Sequence, residues 1–147
     1  MKLDRRVEEK GSQSVWDEMA SNPDGVLIDV RTRPEWQYVG LPDISELGKE
    51  LVLIEWRMYP TMVVNERFVL ELRHRLGDSI PSNLYFICRS GVRSREAADF
   101  VLNSMSAEKI FARCVNVSDG FEGDLDSCLH RGEKNGWKFS GLPWVQR

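Results

Sequence analysis

The sequence predicts an α/β fold, with a central, mostly parallel β-sheet flanked by helices on both faces. Short apolar runs bounded by turn residues recur along the chain as "VLID", "LVLIEW", "LYFIC" and "IFARCVNV". Stretches of helical periodicity alternate with them, which implies parallel crossover units and a sheet covered on both sides. With 147 residues, 41% of them hydrophobic, the chain is long enough to bury a core without disulfides or metal.

The elements follow in order. A first helix is expected from Ser14 to Ala20, with Ser14 as its N-cap and Val15, Trp16, Met19 and Ala20 on one face. "SNPDG" ends it, and "VLID" at 26–29 and "LVLIEW" at 51–56 read as strands. Asn65 can cap a second helix whose Phe68, Val69, Leu72 and Leu76 share a face, with Gly77 at the stop. "LYFIC" at 84–88 is the third strand, and Ala97, Ala98, Val101, Leu102 and Met105 then recur at helical spacing. "IFARCVNV" at 110–117 is read as the last strand. One domain is expected over 1–147. Residues 1–13 are expected to be flexible, and 118–147 to be an extended loop and C-terminal segment packed on the domain.

Bulk properties narrow the function classes. A formal net charge of −3 gives no general attraction to nucleic acid or anionic membrane, so neither is expected as a partner. No signal-peptide pattern or long apolar run is present, which leads us to expect a cytoplasmic protein. Cys88, Cys114 and Cys128 are odd in number and far apart, as reduced thiols are. With only His74 and His130 to join them, no metal site and no cofactor are expected.

The chemistry concentrates in "FICRSGVRSREAADF", residues 86–100. Cys88 ends an expected strand, the edge where open α/β sheets place ligand sites. A short loop running into a helix N-terminus aims backbone N–H groups at a common centre and stabilises negative charge there. Such a setting, with Arg89, Arg93 and Arg95 close by, favours a reactive thiolate and attracts anions. Residue composition alone leaves a buried packing cysteine with solvated arginines as an equal reading.

"CRSGVRS" resembles the active-site loop of rhodanese-domain sulfurtransferases, Cys-Arg-x-Gly-x-Arg or Thr, with Cys88, Arg89, Gly91 and Arg93 in every fixed position. "LIDVRTRPEW" is similar to the family's first box through Asp29, Arg31 and Glu35, and "VNVSDGFEG" and "GLPW" to its closing segment. The resemblance implies a rhodanese-like fold and transfer of sulfur through a persulfide on Cys88. Its donor would be a small sulfur anion such as thiosulfate, its acceptor cyanide or a thiol, with a sulfur-relay protein as a candidate partner. It further implies a persulfide cradle of Arg89, Ser90, Gly91, Val92, Arg93 and Ser94, in which Arg89 and Arg93 can meet donor oxygens. Asp29, Arg31 and Glu35 are expected to support, with Asp29 bracing an arginine of the loop or the following helix. Ser94 is expected to cap that helix, and Arg95 to be an ordinary helix-start residue.

Two departures stand out. "VGLPDI" at 39–44 replaces a Gly-His-Ile and Pro-Gly-Ala segment, and "DLDSCLHRGEKNGWKFS" at 124–140 lengthens the closing connection. Cys128 and His130 lie in that insert and are read as an incidental thiol and a surface imidazole. Two other functions compete. Cell-cycle phosphatases resemble rhodaneses but carry Cys-x5-Arg, whereas only four residues separate Cys88 from Arg93. A rhodanese-like binding or sulfur-carrier module without turnover is the other.

Overall fold

A computed structural model describes residues 5–147. Its elements are β1 (Glu8–Lys10), α1 (Ser12–Ser21), β2 (Gly25–Asp29), α2 (Arg33–Tyr38), β3 (Leu41–Pro42), a 3₁₀ turn (Ser45–Leu47), β4 (Leu51–Leu53), β5 (Arg57–Met58), β6 (Val63–Val64), α3 (Phe68–Leu76), β7 (Asn83–Ile87), α4 (Val92–Ala107), β8 (Arg113–Val117) and β9 (Trp144–Val145).

Five strands form the central sheet in the order β1-β8-β7-β2-β4, every neighbouring pair parallel. β2 and β7 are buried on both sides, so apolar residues run continuously from Val26 to Ile28 and from Leu84 to Ile87 instead of alternating. On one face Ile28, Val52, Phe86 and Cys114 pack against Phe68 and Leu72 of α3 and Ala97, Ala98 and Val101 of α4. On the other, Leu27, Tyr85, Ile87 and Val115 meet Val15 and Met19 of α1, together with Phe121 and Trp137 of the C-terminal segment. β2 and β7 are central neighbours from which the chain proceeds to opposite edges, so their carboxyl ends flank a crevice of the kind where α/β sheets bind ligands.

The structure departs from the sequence reading at both ends. Of the segment 1–13, where flexibility is expected, residues 1–4 lie outside the described residues, and Glu8–Lys10 add an edge strand to β8. α1 starts two residues before the expected Ser14 cap: Asp119 Oδ1 accepts the Ser12 backbone N–H (2.9 Å) and hydroxyl (2.7 Å), supplying from afar the acceptor a local cap would provide. Asn65 is not the cap of α3 either: Arg67 holds the N-cap position without a side-chain capping bond, and Asn65, two residues earlier, accepts the Arg67 N–H with its side-chain oxygen at 3.0 Å. β8 is not the last strand, because β9 pairs antiparallel with β3 and ties the C-terminal segment down. Trp137 anchors that segment, fully buried with its indole N–H donated to the Pro143 carbonyl at 2.8 Å.

Among the described residues no helix is long and apolar enough to cross a membrane.

Candidate active site

Cys88 directly follows β7 and is only 1% exposed. The chain then turns back through Gly91 into α4. Gly91 has φ +103°, and a Cβ there would sit 2.3 Å from the Ser118 carbonyl oxygen, so no side chain fits. That turn brings the Gly91 N–H to within 3.1 Å of Cys88 Sγ, and the Ser94 hydroxyl lies 3.2 Å from the same sulfur.

The closing segment clamps this loop from behind. Phe121 N–H donates to the Cys88 carbonyl (2.8 Å), and the Glu122 and Gly123 N–H groups donate to the Arg89 carbonyl (3.0 and 3.1 Å). Each is a backbone bond, so the clamp fixes the loop's path whatever its side chains do.

Ser94 does not cap α4. Gly91 occupies the N-cap position, and the Ser94 hydroxyl, fully buried in the first turn, points inward to Cys88 and to Asn116 Oδ1 at 2.5 Å. Asn116 is a site residue that the sequence reading missed. It lies in β8 opposite Phe86 of β7, and its amide group donates to Gly91 O (3.0 Å) and Glu9 Oε2 (2.8 Å). The available signal was a polar residue inside the apolar run "CVNV", since a polar side chain at 2% exposure must find partners.

The arginines separate. Arg93 holds Glu35 with both prongs of its guanidinium, at 2.7 and 2.9 Å. Glu35 also closes the capping box of α2, accepting the Thr32 N–H and hydroxyl. Burial opposes ionisation of Glu35, but the hydrogen bonds and charge of Arg93, with those of Thr32, outweigh it and hold the carboxyl at about 2. Burial likewise disfavours the charged Arg93, and Glu35 overrides it, with smaller contributions from Cys88 and Asp29. The Arg89 side chain is exposed and, among the described residues, has neither a hydrogen bond nor an ion pair for its guanidinium. Ser90 is half-buried, and the Val92 side chain faces solvent. Arg95 pairs with Glu9 and Asp99 on the α4 surface.

Asp29 does not brace the loop or α4. It pairs with Arg31, both fully buried, and accepts the Arg31 N–H (3.1 Å), Nε (3.0 Å) and Nη2 (2.7 Å). Residues i and i+2 at a strand end project to the same side, which puts the guanidinium within reach of its near neighbour before any helix residue. Arg31 also donates to Gly40 O at 2.7 Å and lies 4.3 Å over the Phe121 ring, linking β2 to the segment that clamps the cysteine loop.

The other cysteines lie apart. Cys114 is buried in β8, and burial pushes its thiol up to about 12, which makes it inert. Cys128 is exposed in the insert. Asp126, His130 and Glu133 offer ligand atoms within 4.8 Å of one another, at the surface, where the Asp126 carboxylate already accepts the Cys128 and His130 amides.

No protein-family model matches the chain. It is 37% identical over 133 residues to the uncharacterized protein RP600 homolog of Rickettsia rickettsii, spanning 90% of this chain and 93% of that one. Among solved structures it is similar to Rv0390 from M. tuberculosis, with 41% identity and a TM-score of 0.82 over 97% of this chain and 99% of that one. The polysulfide-sulfur transferase homodimer from Wolinella succinogenes shares the fold at 20% identity, with a TM-score of 0.56 over 96% of this chain and 80% of that one. The chain therefore belongs to the family of this Rickettsia protein and Rv0390, and it is built on a parallel five-stranded sheet flanked by helices.

Proposed function

We propose that the protein is a sulfurtransferase that carries a sulfane sulfur on Cys88. The observation that supports this most is the placement of Cys88 Sγ inside a loop with four residues between Cys88 and Arg93, accepting the Gly91 N–H at 3.1 Å. A ring of amides this short suits one sulfur atom better than a tetrahedral phosphate, which disfavours the phosphatase reading.

With thiosulfate as donor, the Cys88 thiolate attacks the outer sulfur. A bond forms between Sγ and that sulfur, the donor's own S–S bond breaks, and sulfite leaves with the electron pair. The persulfide then gives its outer sulfur to a nucleophile: cyanide becomes thiocyanate, or a thiol becomes a persulfide, and Cys88 returns as thiolate. The attack starts once the thiol proton has left to solvent, so no side chain is required as general base. The Gly91 amide and the α4 N-terminus stabilise the sulfur's negative charge, and Arg89, exposed and unpaired among the described residues, is the cation we assign to an anionic donor. Arg93 shapes the site through Glu35. The Wolinella protein of the same fold is described as a polysulfide-sulfur transferase, which adds polysulfide to the candidate donors.

The near-complete burial of Cys88 favours a second reading, in which the domain stores or relays sulfur with little turnover. A panel of thiosulfate, polysulfide and mercaptopyruvate as donors, with cyanide and small thiols as acceptors and persulfide detection on Cys88, separates the two. Turnover lost in Cys88→Ser supports the enzyme. Stoichiometric loading without turnover supports the carrier. Release of phosphate from aryl phosphates, lost in the same variant, contradicts both.

A further inference from the structure

Behind Cys88 runs a chain of hydrogen bonds whose directions are fixed by the number of hydrogens available. Asn116 Nδ2 carries two, and two acceptors take them: the Gly91 carbonyl at 3.0 Å and the Glu9 carboxylate at 2.8 Å. Its Oδ1 therefore faces Ser94 Oγ at 2.5 Å and has no hydrogen to give, so the Ser94 hydroxyl must donate to it. A hydroxyl has one hydrogen. At the 3.2 Å contact between Ser94 and Cys88, the oxygen is thus left as acceptor and the sulfur as donor.

We propose that Asn116 is a positioning residue: by claiming the Ser94 proton, it holds Cys88 as a resting thiol and keeps the hydroxyl turned from the sulfur until the sulfur carries negative charge. On ionisation the thiol proton leaves to solvent. The hydroxyl can then rotate to donate to the thiolate or to an anionic persulfide, which costs its bond to Asn116 and leaves a buried amide oxygen without a donor. Glu9 and the Gly91 carbonyl prevent Asn116 from flipping to offer its nitrogen instead. Glu9 is itself held by Arg95, whose Nη1 is 2.5 Å from Oε1. Arg93, whose charge also couples to Cys88, is already engaged by Glu35. This inference rests on Cys88 as the reacting nucleophile and assigns the control of its resting state to β8 and β1, outside the cysteine loop.

The test is a double-mutant cycle on the full chain, reading iodoacetamide alkylation of Cys88 at fixed neutral pH by peptide mass spectrometry, which sets Cys128 aside. Asn116→Val suits the strand between Val115 and Val117 and frees the Ser94 hydroxyl for the thiolate. A hydrogen bond to a charged group predicts alkylation about tenfold faster than wild type. Ser94→Ala in that background removes the gain, whereas Ser94→Ala alone changes the rate by less than about threefold, because its proton was not on the sulfur. An Asn116→Val rate at or below wild type overturns the proposal. So does a gain that survives in the double variant, as simple loosening of the loop would give, or a Cys88 inert in all four proteins. Should Asn116→Val not fold, Ser94→Ala decides alone: a tenfold or larger loss would place the proton on the sulfur at rest and overturn the idea. Sulfur uptake from thiosulfate is followed on the same samples. Absence of uptake with the alkylation cycle as expected contradicts sulfur transfer and leaves the relay standing.

Discussion

Replacing Glu35 by Gln tests how far the cysteine loop depends on a charge held 58 residues away in sequence. The Glu35 carboxyl is depressed from 4.5 to about 2, and the pair is mostly shielded, with side-chain exposures of 15% for Arg93 and 19% for Glu35. A depressed carboxylate contributes stability that is fully present above its unfolded value and is lost as pH falls through its folded value. The window here runs from about 4.5 down to about 2. The shift corresponds to about 3 kcal/mol at neutral pH and about 2 kcal/mol near pH 3.5, as upper values before solvent screening. Urea unfolding of wild type and Glu35→Gln, followed by tryptophan fluorescence, should show a difference approaching these values at pH 7 that narrows progressively below pH ~4.5. A difference under about 0.5 kcal/mol at pH 7, or one constant across the acid range, would refute the reasoning, because it would put the ion pair among exposed bridges of little worth.

Other variants probe the clamp and the donor site. Gly91→Ala must relieve a 2.3 Å approach to Ser118 O at a φ of +103°, so we expect a loss of more than about 2 kcal/mol in urea unfolding, together with loss of sulfur uptake; near-wild-type stability would show that the loop can take another path. Asp119→Ala removes the acceptor for the first turn of α1 and should cost about 1–2 kcal/mol, readable as a shifted denaturation midpoint, while an unchanged midpoint would mean that water replaces it. Arg89→Gln should raise KM for thiosulfate about tenfold with a smaller effect on kcat, and flatten the salt dependence of kcat/KM. An unaltered KM would move the anion-recognition role to another group.

The parts legible in the sequence are those that local pattern determines. β2, β7 and β8 announce themselves as apolar runs because both faces of the sheet are covered, and α4 through five apolar residues, all buried, at helical spacing. β1 was hidden because "EEK" has no apolar signature and pairs through backbone alone at a sheet edge, and two-residue β9 is too short to show a period. "LVLIEW" reads as six residues of strand but forms only three, after which the Ile54 and Trp56 amides bond the Asp29 and Val30 carbonyls as the chain leaves the sheet. The cysteine loop was visible because its residues are contiguous. Its partners were not: Glu35 comes from α2 and Asn116 from β8, and the start of α1 is set by a carboxylate 107 residues away. Side-chain direction was the other blind point, since two arginines in one loop look equivalent in sequence, while one is locked to Glu35 and the other faces solvent.

Sulfur transfer through Cys88 is tested most directly by intact-mass measurement after incubation with thiosulfate. It predicts the gain of one sulfur atom per chain, its removal by cyanide with formation of thiocyanate, and no gain in Cys88→Ala. No gain in the wild type, or a gain that persists in Cys88→Ala and maps to exposed Cys128, would contradict it.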